Sequence, residues 1–390
     1  MGIHMKKILY FLIAVIVLAA CKESYKPNIS YPETGYLVVE GFINSRPAGV
    51  TSIKLSRTVK LDTNINTRRE NFAKVTIEGD NNSSYALTGN NSGTYSSGQL
   101  NLSSTAKYRL RIITSDGKTY LSDYATAVKT PPIDSVNFKM ENNGLQLYIN
   151  THDPKNSTWY YRWEYDETWE YHSLYMPALR YKKDAAGIPN GIEYINADQT
   201  VDTSKFKCWQ FFSSTNIITG TSTKLSEDKI TLPLLFIDET SWKISVLYSV
   251  NVRQYGLSRN GYDFWQKMKR NTEQLGSIFD AQPSEITGNV HCVSNPSEPV
   301  IGYVEVADGQ EKRVFISRAQ VPDWKYRSDC IFQEVTNQKD SIQAYSYLLP
   351  IDGTQFGASP NIILAFGAST PGCVDCTTRG GTNVKPSYWP

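Results

Sequence analysis

Apolar and polar residues alternate in short runs along most of this chain. Leu37 to Ile43 reads LVVEGFI, Ser52 to Ser56 reads SIKLS, and Val75 and Ile77 alternate with polar neighbours. Tyr108, Leu110 and Ile112 alternate with Lys107, Arg109 and Arg111. Successive side chains of a strand point to opposite faces, so this period predicts half-buried strands. Gly79-Asp80-Asn81-Asn82 and Asp116-Gly117 supply the turns between them. Beyond Thr130-Pro131-Pro132 the pattern resumes at Leu145, Leu147 and Ile149. Its strongest instance follows: Trp159, Tyr161, Trp163, Tyr165, Trp169 and Tyr171 hold odd positions, and Arg162, Glu164, Asp166, Thr168 and Glu170 hold even ones. Residues 242–252, 300–304 and 314–316 read as further strands. One helix is expected near 259–275, capped by Ser258, with Tyr262, Trp265, Met268, Thr272 and Leu275 on one face and Gly276 as its stop. The predicted fold is therefore all-β. It comprises two β-sandwich-like domains of immunoglobulin or fibronectin type, 36–131 and 132–390, the second elaborated by the helix and long loops.

The N-terminus changes the picture from a fold to a location. Lys6 and Lys7 precede an apolar run from Ile8 to Leu18, and Leu18-Ala19-Ala20-Cys21 follows. The run is too short to span a bilayer as a helix, and its order is that of a secretory signal peptide. The last four residues resemble the lipobox of bacterial lipoproteins. Residues 1–20 are thus expected to be a signal peptide, Cys21 the lipidation site, and 21–35 a polar tether. Removing residues 1–20 takes away Lys6 and Lys7 and leaves 38 basic against 38 acidic side chains. A nucleic-acid binder is expected to carry a basic excess, so that class is excluded.

Outside a reducing cytosol the remaining cysteines, Cys208, Cys292, Cys330, Cys373 and Cys376, are disulfide candidates. A structural zinc site usually needs four ligands. Cys373-Val374-Asp375-Cys376 offers one short-spaced pair, and His152, His172 and His291 show no matching spacing, so no metal or cofactor is expected. The C-terminal stretch, rich in Gly and Pro, would fray unless tied down. Cys330 is the expected distant partner of Cys373 or Cys376, with a bond between the latter two as the alternative. The aromatic stripe reads first as sandwich core. Trp169, Tyr171 and Tyr175, running toward a loop, are the candidates for exposed ligand-binding rings. No sequence motif of a hydrolase, metalloprotease or phosphate-binding loop occurs, and no catalytic residue is assigned.

Several stretches carry a family resemblance: Leu37-Val38-Val39-Glu40-Gly41, Pro132-Ile133-Asp134-Ser135-Val136, Asn271-Thr272-Glu273-Gln274 and Phe279-Asp280-Ala281-Gln282-Pro283-Ser284. Gly288-Asn289-Val290, Glu298-Pro299-Val300-Ile301-Gly302-Tyr303 and the closing Cys373–Cys376 with Gly380-Gly381-Thr382-Asn383 complete it. The chain resembles the Bacteroidota lipoprotein family catalogued as domain of unknown function 4249. The resemblance implies a non-enzymatic accessory subunit of a TonB-dependent, SusC-type receptor or another outer-membrane β-barrel. It also implies that the C-terminal stretch is a disulfide-bearing clasp. Lys22-Glu23 resembles a surface-export signal, so the expected site is the outer membrane, facing outward. The alternative functions are a glycan- or peptide-binding lipoprotein and, third, a secreted hydrolase.

Overall fold

The computed structural model describes residues 35–59, 68–273, 286–359 and 362–390. The expectations for the signal peptide, Cys21, Lys22-Glu23, Gly276 and the 279–284 stretch lie outside these residues.

The N-terminal region contributes nine strands: β1 (Leu37–Asn44), β2 (Ser52–Arg57), β3 (Arg68–Arg69), β4 (Lys74–Gly79), β5 (Ser84–Gly89), β6 (Thr94–Ser96), β7 (Lys107–Ile113), β8 (Thr119–Ser122) and β9 (Ala125–Thr126). Their inward residues, among them Leu37, Ile53, Val75, Ile77, Tyr108 and Leu110, form a single core. The alternation legible in β4 and β7 is the alternation of burial. The Asp116-Gly117 turn holds Gly117 at φ 80°, a left-handed conformation that glycine adopts without steric cost.

The second region begins with β10 (Ile133–Glu141), β11 (Gly144–His152) and the long β12 (Tyr160–His172). There follow the hairpin of β13 (Leu179–Lys183) and β14 (Pro189–Tyr194), then β15 (Lys207–Ser213), β16 (Ile218–Thr221), β17 (Lys229–Asp238) and β18 (Leu247–Gly256). One sheet runs β10-β11-β17, and its partner runs β15-β12-β18 and onward, with β16 also paired to β12. Residues 242–252 do not form one strand. Trp242–Ile244 is a turn of 3-10 helix capped by Ser241, and the strand starts at Leu247.

Helix α1 (Arg259–Glu273) stands close to the expected 259–275 span. Ser258 Oγ accepts from Gly261 N at 3.1 Å, the geometry of an N-cap. Its buried face centres on Phe264, and Thr272 is exposed. The sequence face built on Tyr262 was one residue-step off, because Tyr262 and Trp265 pack sideways against Tyr160 and under the Arg162 guanidinium rather than into a core.

The chain then does something the local pattern does not announce. Strands β19 (Val290–Cys292), β20 (Val300–Ile301) and β21 (Val306–Ala307) return to the first region. There β19 pairs with β8, and β20 and β21 run parallel to β1. With them the first sheet reaches twelve strands. Next, β22 (Gln310–Ser317) goes back to the second region and pairs with β18. The Thr130-Pro132 junction marks where β10 begins, but the two regions are interleaved rather than successive. Finally β23 (Gln333–Thr336), β24 (Leu349–Phe356) and β25 (Ile363–Ser369) form a small sheet ordered β23-β25-β24. It shares a third core with the β13–β14 hairpin.

Two disulfides tie down the C-terminal stretch, Cys330–Cys373 and Cys208–Cys376, while Cys292 is free and buried. Tyr171 adds a hydrogen bond of 2.8 Å from its hydroxyl to the Cys376 carbonyl, and Trp389 Nε1 donates to Glu170 at 2.8 Å.

Candidate functional site

Alternation along β12 sends Tyr161, Trp163, Tyr165, Glu167, Trp169 and Tyr171 inward. Five of these are aromatic and one is a glutamate, 2% exposed. A charge at an inward position is costly unless it is paired and fully hydrogen-bonded. Here both carboxylate oxygens of Glu167 accept from Lys243 Nζ at 2.8 Å, and Oε1 also accepts from the Tyr248 hydroxyl at 2.8 Å. Lys243 comes from the 3-10 turn between β17 and β18. Its ammonium lies 5.0 Å from the Trp169 ring centroid and 5.4 Å from that of Phe212. Burial first, and then the Glu167 carboxylate, push the Tyr248 phenol well above 10. The same causes in the same order push Tyr165 up to about 12. Both phenols are therefore neutral, Tyr248 donating to Glu167, and the Glu167–Lys243 pair carries opposite formal charges that cancel.

On the opposite sheet β17 is an edge strand, which is where a strand proline such as Pro233 is tolerated. Its register against β11 slips between Leu147 and Tyr148, leaving Leu234 as the extra residue of a bulge. The Gln146 side-chain amide holds the irregularity by donating to the carbonyls of Leu235 at 2.9 Å and Leu147 at 3.0 Å. Bulges re-aim side chains at sheet edges. Beyond this one, the Phe236 ring lies across Gly144, where a Cβ would come within 2.4 Å of it. Phe236 is 45% exposed, and Phe212, on the edge strand β15 of the other sheet, is 44% exposed.

Tyr165, Glu167, Lys243, Phe212, Asn216 and Phe236 all line one cleft of about 480 Å³. The volume is in the range of small-molecule sites. Because both oxygens of Glu167 are already taken by donors, the arrangement suits fixed hydrogen-bond recognition better than proton transfer.

The rings singled out in the sequence do not meet here as an exposed set. Trp169 is 5% exposed and Tyr171 1%, both within the second core. Odd parity on β12 places them there, and each packs edge-on against Trp242. Tyr175 is half-buried elsewhere, beside Phe332. Glu167 was missed, although its signal was in plain view as the charged residue on the aromatic parity. Phe212 and Phe236 carried no such signal, since their exposure depends on edge position and on the bulge. The histidines take acidic neighbours: His152 Nδ1 lies 2.7 Å from Asp134, and His172 Nε2 lies 2.7 Å from Glu170. Among the described residues no cluster of His, Cys, Asp and Glu is arranged to hold a metal ion.

The architecture is that of a mainly β protein with interleaved sheets and a cystine-tied C-terminal stretch. The chain belongs to the family described as Domain of unknown function (DUF4249), whose profile matches residues 22–313. The C-terminal Cys373–Cys376 motif lies beyond that match. No curated protein matches the chain significantly in sequence. Solved structures with some likeness include a DUF4785 family protein from Legionella pneumophila, at 9% identity over 56% of this chain and 52% of that one, with a TM-score of 0.18. This chain thus spans about half the length of the Legionella protein. Another is a putative carbohydrate binding protein from Bacteroides uniformis, at 12% identity over 58% of this chain and 91% of that one, with a TM-score of 0.15. Scores this low carry no argument about fold or function.

Proposed function

We propose that this chain is a lipid-anchored lipoprotein of the outer membrane, facing outward, that serves as a non-enzymatic accessory subunit of a TonB-dependent, SusC-type receptor. The observation that carries the reading is where the family-resembling residues fall in the fold. Glu298 accepts from Tyr120 Oη at 2.6 Å and from Lys118 Nζ at 2.7 Å, and lies 3.8 Å from Arg57. Asn289 exchanges two hydrogen bonds with the Val304 backbone, at 2.9 and 2.8 Å. Gly302, at φ 152°, passes so close to β1 that a Cβ would lie 2.4 Å from the Val39 carbonyl oxygen. Glu298 and Gly302 dock the returning segment onto the first sheet, and Asn289 braces that segment internally. A protein that spends its family-resembling residues on fixed geometry is suited to presenting surfaces to a partner. The lipobox at Cys21 supports the anchor, and the two disulfides suit an oxidising compartment.

Purification of the chain from detergent-solubilised outer membranes tests the reading. A stoichiometric β-barrel receptor should copurify, and Cys21→Ala should move the protein to the soluble fraction. Recovery alone, or unchanged membrane association of Cys21→Ala, contradicts it.

A further inference from the structure

The cleft beside the β17 bulge has features that the scaffold does not need. A sandwich core would be served as well by an apolar side chain at position 167, and replacing a buried ion pair by apolar groups is often neutral or stabilising. Here the pair opens onto a solvent-facing cleft between two exposed phenylalanines. Trp169, which lies beneath the Lys243 ammonium, keeps a buried indole N–H with no hydrogen-bond partner among the described residues.

The charges decide the ligand class. Lys243 is neutralised by Glu167 within hydrogen-bond distance, so no free cation is offered to a phosphate or carboxylate. Glu167 already accepts from Lys243 and Tyr248 and its charge is balanced by the ammonium, so no free anion is offered to an amine. Lys243, which has three N–H donors and turns two to the carboxylate, keeps one for a hydroxyl. What remains is a net-neutral floor of fixed polar groups below two apolar rings, with the Asn216 amide beside them. Such a surface matches a molecule that has C–H faces to lay on the rings and hydroxyls to meet the polar groups. We propose that this cleft binds a neutral oligosaccharide segment, with Phe212 and Phe236 as its platforms and the Glu167–Lys243 pair as its hydrogen-bonding floor. Gly144 leaves room both for the Phe236 ring and for the Ile237 carbonyl oxygen, each of which a Cβ would approach to 2.4 Å. The proposal stands apart from association with a receptor and can hold or fail without it.

The test is calorimetric titration of the full mature chain with linear hexasaccharides of glucose, mannose and galactose, with hexagalacturonate, and with an aromatic-rich peptide. At least one neutral hexasaccharide should bind, with affinity changing less than about twofold between 50 and 500 mM salt, as expected where no charge pairing is screened. Phe212→Ala and Phe236→Ala, both at exposed positions, should each weaken it about tenfold or more while leaving the circular dichroism spectrum unchanged. Absence of binding to every neutral hexasaccharide, binding only of hexagalacturonate or of the peptide, or undiminished affinity in both phenylalanine variants would each overturn the proposal.

Discussion

Two buried charge clusters in this molecule use nearly the same chemistry for different ends. In the first region Arg57, 5% exposed, donates to Glu70 at 2.8 Å and to the Tyr120 hydroxyl, while Tyr120 and Lys118 both donate to Glu298. In the second region Glu167 accepts from Lys243 and Tyr248. Each combines carboxylate, cation and phenol at inward positions. The first joins residues 178 and 180 apart in sequence and is closed over by the returning segment. The second joins neighbours of one sandwich and faces a cleft. Sealed charge that bridges distant segments fixes a fold, whereas in our proposal Lys243, with its side chain 27% exposed, turns its remaining N–H to a ligand.

The largest expected effect is at the seam. Glu298→Ala removes the acceptor of Tyr120 and Lys118 and leaves Arg57 buried with one carboxylate, a loss of about 3–5 kcal/mol by analogy with other broken buried pairs. Urea unfolding followed by fluorescence measures it, and a loss under about 1 kcal/mol would erase the contrast. Lys243→Met leaves Glu167 without its cation. Because the Lys243 side chain is 27% exposed, water screens part of the loss, and about 1–3 kcal/mol is expected in the same assay.

The pH dependence of the seam follows from Glu298. Burial raises its pKa, but hydrogen bonds from Lys118 and Tyr120 and the nearby Lys118 and Arg57 charges outweigh that and hold it below the ordinary 4.5. A carboxyl with a depressed folded-state pKa contributes stability that is complete above the unfolded value and is lost as pH falls through the folded one. The stability gap between the native protein and Glu298→Gln should therefore be constant above about pH 5 and shrink below 4.5 in urea melts at stepped pH. A gap that widens on acidification would show the opposite sign. Phe212→Ala sits at the small end. With the ring 44% exposed, a change within about 0.5 kcal/mol is expected, even though binding should fall.

The contrast also separates what the sequence shows from what it hides. Strands β1, β2, β4, β7, β11 and β12 are legible because their burial alternates with period two, which is a local property. The helix is legible through Ser258 and the spacing that follows it. The return of β19, β20 and β21 to the first sheet is not, because two- and three-residue strands carry no period and their partners lie far away in the chain. Val300 to Val304 reads as one strand, yet pairing stops at Ile301, since Gly302 must swing past Val39 in a conformation other residues avoid. Trp242 misleads for a similar reason: its apolar neighbours fit a strand, but Ser241 caps a turn that delivers Lys243 to Glu167. The Cys330–Cys373 bond is one of the pairings the sequence singles out. Cys208–Cys376 needed three dimensions, because it depends on the pairing of β12 with β15, the Tyr171 contact and the hydrogen bond from Cys376 N to the Lys205 carbonyl.

The most direct test of the difference between seam and cleft is a hexasaccharide titration of the double variant Glu167→Gln/Lys243→Met. Glutamine keeps an acceptor for Tyr248 and methionine keeps the packing against Trp169, so the fold should stay within about 1 kcal/mol of the native protein. The account predicts that this stable variant binds the neutral hexasaccharide at least about tenfold more weakly, because charge-assisted hydrogen bonds from the floor are lost. Native affinity in the double variant, or a collapse in stability comparable to that of Glu298→Ala, would contradict it and make the second cluster a structural one like the first.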